Sequence, residues 1–150
     1  MNVIYTNPKS TAVALKFAAE VAHDLYATIR VLAVQQVPVA IPLSRPPADF
    51  QLTEKSLLEL ANRCSDGTME TTIHLYRSRN ALDTLGQVLE PNSLVVIGGR
   101  RRWFSDAYWI ASMLRSIGHQ VILVPRRSIA TGAQPRLRAI PRSEGVRKHA

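Results

Sequence analysis

Residues 95–103 read VVIGGRRRW. An apolar run ends in Gly98 and Gly99 and is followed at once by Arg100, Arg101 and Arg102. Residue types in that order can hold an anion at a strand-to-helix junction. Glycine lets backbone N–H groups come close to an oxyanion, a helix N-terminus adds a favourable dipole, and guanidinium groups grip oxygens in pairs. Three readings follow from these residues. The arginines could form a nucleotide or phosphometabolite site built on side chains. They could instead be a solvated basic loop, with Trp103 and Phe104 covering the sheet or an interface. Or, joined to the basic C-terminal stretch, they could bind nucleic acid or another polyanion by charge and stacking. Tyr108 and Trp109 are as well explained by core or dimer contacts as by base stacking.

Catalytic patterns are missing from the sequence. It contains no G-x-S-x-G elbow, no Walker-type phosphate loop and no metal-spaced cluster of His, Asp and Glu. A nucleotide hydrolase would need a metal ligand near the phosphates, and Asp106 is the single loop candidate. His74 lies in a strand-like segment with no Ser, Cys or carboxylate partner at motif spacing, which makes it a strand histidine. The expectation is a protein that is not an enzyme and holds no metal.

The elements that must position the glycine–arginine junction alternate along the chain. NVIY (2–5) reads as a first strand, closed by Thr6, Asn7 and Pro8. Ser10 or Thr11 can cap a helix whose Ala14, Leu15, Ala18, Val21, Ala22 and Leu25 recur at helical spacing up to Tyr26. TIRVLAVQQV (28–37) is a second buried strand and completes a βαβ unit. The four prolines of residues 38–50 make a surface loop, after which Thr53 can cap a second helix running to a turn at Ser65-Asp66-Gly67. METTIHLYR (69–77) is a third strand, and Asn80 with Asp83 forms a capping-box-like start for a third helix. LVVIGG is the fourth strand, Ser105-Asp106 opens a fourth helix that ends at Gly118, and QVILVP (120–125) is the fifth strand. This alternation predicts an α/β fold, a doubly wound five-stranded parallel sheet with helices on both faces.

The 150-residue chain divides into this α/β domain (1–126) and a basic segment (127–150) whose aperiodic, Gly- and Pro-containing composition is that of a disordered tail. The net charge is +8, of which residues 126–150 carry +6, leaving a domain too weakly basic to argue for nucleic acid. The lone Cys64 cannot form an internal disulfide and falls on the apolar face of the second predicted helix, as a core residue would. No apolar run is long enough for a membrane span, and MNVIYTNPKS lacks the features of a secretory signal, so the expected location is cytoplasmic.

The order of elements, the proline-broken loop and three short stretches resemble the universal stress protein family over about residues 1–126. NVIYTNPKSTAVALKFAAEVA is similar to that family's first strand and helix, SLVVIGG to its fourth strand and HQVILVP to its last. Members that bind ATP have an acidic residue at the end of strand one, and the matching position here is Thr6. They also have a G-x2-G-x9-G-S/T loop. Counting from Gly98 places Arg101 at the second glycine and Ala111-Ser112 at the last pair, whereas aligning the helices by their apolar residues places Ala107-Tyr108 there. Either way the pattern is broken. The resemblance therefore implies a regulatory or protective protein that has lost ordinary ATP binding and carries no cofactor. The alternative is an adenine-nucleotide sensor with a remnant pocket of Thr6, Val34, Gly98, Gly99, Arg101 and Ser112. It also implies a homodimer paired through Val121, Ile122, Leu123, Val124 and Pro125, with a further protein partner open.

Overall fold

The computed structural model describes residues 1–45, 48–64, 67, 69–100 and 105–126. The elements run β1 (Asn2–Ile4), α1 (Pro8–Leu25), β2 (Ile29–Gln36), α2 (Ala48–Cys64), β3 (Thr71–Ser78), α3 (Ala81–Val88), β4 (Leu94–Gly98), α4 (Asp106–Ser116) and β5 (Gln120–Val124). All neighbouring strands are parallel, in the order β3-β2-β1-β4-β5. The predicted doubly wound sheet is therefore present, and its strand order reverses between β1 and β4.

Strands buried on both faces explain the continuous apolar runs in the sequence. Val3, Val31, Ala33, Val96 and Val124 point into one core with Ala14, Leu15 and Ala18 of α1 and Leu57 and Leu60 of α2. Their chain neighbours Ile4, Leu32, Val95, Ile97 and Leu123 point into the other, with Leu85 of α3 and Ala107, Ala111 and Leu114 of α4. Cys64 is half-buried against the first core, and burial pushes its thiol pKa up, with the charges of Lys16 and Arg63 opposing the rise. That environment suits the core residue expected of it. His74 is a half-buried β3 residue whose ring stacks on Tyr76 at 6.4 Å and 12°.

Three local expectations are corrected. The cap of α1 is Asn7, whose side chain accepts from the Ser10 N–H at 2.9 Å, with Pro8 in the first turn; Ser10 and Thr11 are buried inside the helix. The same Asn-Pro pair that closes β1 also starts the helix, because an N-cap is extended and proline suits the first helical position. Helix α2 begins at Ala48, so Thr53 lies within it; no proline interrupts residues 48–90, and the helix extends back to where prolines stop. Asn80 does cap α3, accepting from Leu82 and Asp83 N–H, but its own N–H donates to Ser78 Oγ at 3.0 Å, so the reciprocal half of a capping box is supplied by Ser78.

The loop after β2 is a surface segment as far as Arg45, with turns closed by Ile41 N–H to Pro38 O and Arg45 N–H to Pro42 O. Arginines from the β3 end hold it: Arg77 donates to Leu43 O at 2.8 Å, and Arg79 to Val37 O at 3.2 Å and to Pro38 O. Among the described residues no helix is long and apolar enough to cross a membrane. The expected tail, 127–150, lies outside the described residues.

Candidate functional site

Ligands of open α/β sheets bind beyond the carboxyl ends of the strands where the strand order reverses, here between β1 and β4. A cleft of about 190 Å³ lies at that place. Thr6, Asn7 and Ser10 line it from the β1–α1 junction, Gly98, Gly99 and Arg100 from the end of β4, Ser105, Asp106 and Ala107 from the start of α4, and Arg126 from beyond β5.

The two glycines serve packing. A Cβ on Gly98 would lie 1.8 Å from the Ser10 carbonyl oxygen, so the first turn of α1 rests directly on the β4 backbone. A Cβ on Gly99 would lie 2.5 Å from the Cβ of Ala107, so α4 makes the same close approach from the other side. The Gly99 N–H is also committed, donating to Val124 O at 3.0 Å. Thr6 joins the same joint: its hydroxyl donates to Gly98 O at 3.3 Å and its N–H donates to Thr11 Oγ1 at 3.2 Å.

Both nearby helix starts carry their own caps. Asn7 serves the Ser10 N–H, and Thr11 N–H donates to Asn7 O at 2.9 Å. Ser105 accepts from the Tyr108 N–H at 3.2 Å, while its hydroxyl donates to Arg100 O at 2.7 Å and so ties the end of β4 to the helix start. The first helical residue, Asp106, puts a carboxylate where the helix dipole favours negative charge. A ligand phosphate would meet that carboxylate. Arg100 and Arg126 supply the positive charge of the cleft.

The structure thus brings together Thr6, Gly98 and Gly99 of the six residues singled out from the sequence. Val34 packs on the α3–α4 side of β2, paired with Tyr76, and is not among the described cleft residues. Ser112 is not among them either; it lies six residues along α4 from Asp106, about 9 Å along the axis. Ala107, which touches Gly99, occupies the helix start, so the backbone places Ala107-Tyr108 rather than Ala111-Ser112 opposite the glycines. Arg101 lies outside the described residues. The sequence reading missed Arg126, separated from the loop by a whole helix and strand, and Asn7, which it took only as the close of the first strand.

Neither a protein-family model nor a curated protein matches the chain by sequence. Solved structures match its backbone. A protein of the universal stress protein family from Burkholderia pseudomallei has a TM-score of 0.58 at 16% identity, over 83% of this chain and 95% of that one. A universal stress protein in complex with cAMP has a TM-score of 0.55 at 14% identity, over 84% and 97%. A family protein from Arabidopsis thaliana with AMP bound has 0.53 at 17%, over 85% and 93%. The chain has the universal stress protein fold.

On that fold β5 is the last strand and forms one edge of the sheet. Val121 and Ile122 are half-buried, Leu123 and Val124 buried and Pro125 exposed. A groove flanks the edge on each face. One of about 410 Å³ is lined by Val13, Phe17, Ile122, Val124 and the oppositely charged Lys16 and Glu20. The other, of about 480 Å³, is lined by Tyr108, Arg115, Val121 and Leu123. Among the described residues no group of three His, Cys, Asp or Glu side chains is placed to hold a metal ion.

Proposed function

We propose that this is a non-catalytic regulatory or protective protein of the universal stress type, homodimeric, which does not use ordinary ATP binding and carries no cofactor. The observation that carries this reading is the double use of Gly98 and Gly99. The glycines that resemble a phosphate loop are occupied by Ser10, Ala107 and Val124, so their open backbone is spent on the fold. Thr6 standing where the acid would be, the Asp106 carboxylate at the helix start and a cleft smaller than the roughly 300–1,000 Å³ that holds a drug-sized ligand all support it. The structural neighbours that hold AMP and cAMP make these two nucleotides and ATP the relevant probes. A ligand that binds only the native state raises the unfolding midpoint. Millimolar ATP, AMP or cyclic AMP is expected to leave this protein's midpoint unchanged, and a concentration-dependent rise with any of them would overturn the reading.

The dimer rests on β5. An apolar edge strand left open invites pairing, and a second copy is the occupant that the groove beside α1 favours. Lys16 and Glu20 line that groove one helical turn apart, so a twofold axis passing between them would set each charge against its opposite.

A second reading has one observation of its own. Arg100 and Arg126 reach the same cleft from two elements, and a small phosphometabolite could be held there by guanidinium groups without the backbone amides. Binding of such an anion would be lost in Arg100→Ala and in Arg126→Ala alike.

A further inference from the structure

We infer that Arg115 guards the open edge of β5 and sets how readily a second copy pairs with it; the inference rests on the dimer reading above. The direction of the β5 backbone groups follows from two bonds. Gln120 N–H donates to Ser93 O and Val124 O accepts from Gly99, so the even-numbered residues of the strand turn toward β4. The backbone groups of Val121 and Leu123 must then face outward, since direction alternates along a strand. These are the groups an incoming strand would use.

Arg115 stands in the last turn of α4, where a cation suits the helix dipole. Its guanidinium Nη2 donates to Val121 O at 3.0 Å. The exposed side chain thus leaves its helix, crosses the groove it shares with Tyr108 and Leu123, and covers one of the two outward carbonyls of the strand. A partner strand needs the same carbonyl for its own N–H and the same space for its backbone. Charged side chains placed on edge strands are a general means of blocking unwanted pairing. In a twofold dimer both copies of Arg115 would also converge on one interface, adding like-charge repulsion that salt would screen.

The test is sedimentation velocity of the full chain over a concentration series, comparing wild type with Arg115→Met, Arg115→Lys and Val121→Pro. Methionine retains an apolar stem over the groove and removes the donors. If Arg115 guards the edge, Arg115→Met tightens the dimer dissociation constant roughly threefold to tenfold, the worth of one exposed hydrogen bond, and Arg115→Lys falls between. An unchanged or weaker dimer in Arg115→Met overturns the guard while leaving the dimer reading standing. Monomers throughout, for wild type and Arg115→Met, overturn both. Val121→Pro removes an outward N–H that the sheet does not use; a dimer that survives it forms through another surface, which also overturns the inference. Circular dichroism of each variant separates loss of pairing from loss of fold.

Discussion

Gly98 ends β4 directly against the first turn of α1. With the Ser10 carbonyl oxygen 1.8 Å from any added Cβ, alanine there has to push α1 off β4. Gly98→Ala is expected to cost at least about 2 kcal/mol of stability in urea unfolding, with or without nucleotide, because the atoms it meets are Ser10 backbone and not a flexible side chain. Tyr26 works in the opposite sense. It ends α1 in the left-handed region at φ 51°, with its N–H on Ala22 and His23 carbonyls, and its side chain is 97% exposed. Tyr26→Gly is expected to stabilise by about 1 kcal/mol, since glycine meets no Cβ penalty there and little packing is lost. Burial holds the pKa of both Cys64 and Tyr5 up. The native state therefore keeps these protons longer than the unfolded chain, and the stability they give is complete at neutral pH and declines as pH rises through the thiol and phenol ranges. Urea midpoints measured from neutral to alkaline pH should show that decline, and Cys64→Ala should flatten its earlier part.

Among the elements, strands buried on both faces were the easiest to read. VVI in β4 and VLA in β2 supply both cores, so their continuous apolarity carried the assignment. Helix starts were harder. Asn7 is both the end of the strand turn and the cap of α1, and a local pattern favours whichever role is noticed first. Thr53 had the chemistry of a cap but no reason to be the first one, with five helical residues before it. The place of the site was legible from the VVIGG junction, but its occupancy was not. The Gly99–Val124 bond, the Gly99–Ala107 contact and the approach of Arg126 depend on how α4 and β5 return beside β4, which no local spacing encodes. The edge strand yields its own prediction: in Val121→Pro the monomer should unfold with the same cooperativity as wild type, because the β4–β5 ladder uses the even-numbered residues of β5.

At the scale of the whole molecule, the last helix or strand among the described residues is β5, which ends at Val124. Removing residues 127–150 should leave a single cooperative unfolding transition while taking away most of the positive charge. Any polyanion binding that falls steeply with salt should disappear with that segment. In the proposed reading, a joint between helices and strands stands in place of a phosphate loop at the switch point between β1 and β4. Isothermal titration of the full chain with ATP, AMP and cyclic AMP tests it most directly. The expected result is no saturable heat from any of the three. Saturable binding of even one, weakened by Arg100→Ala or Arg126→Ala, would show that the cleft still holds a nucleotide and would contradict the account.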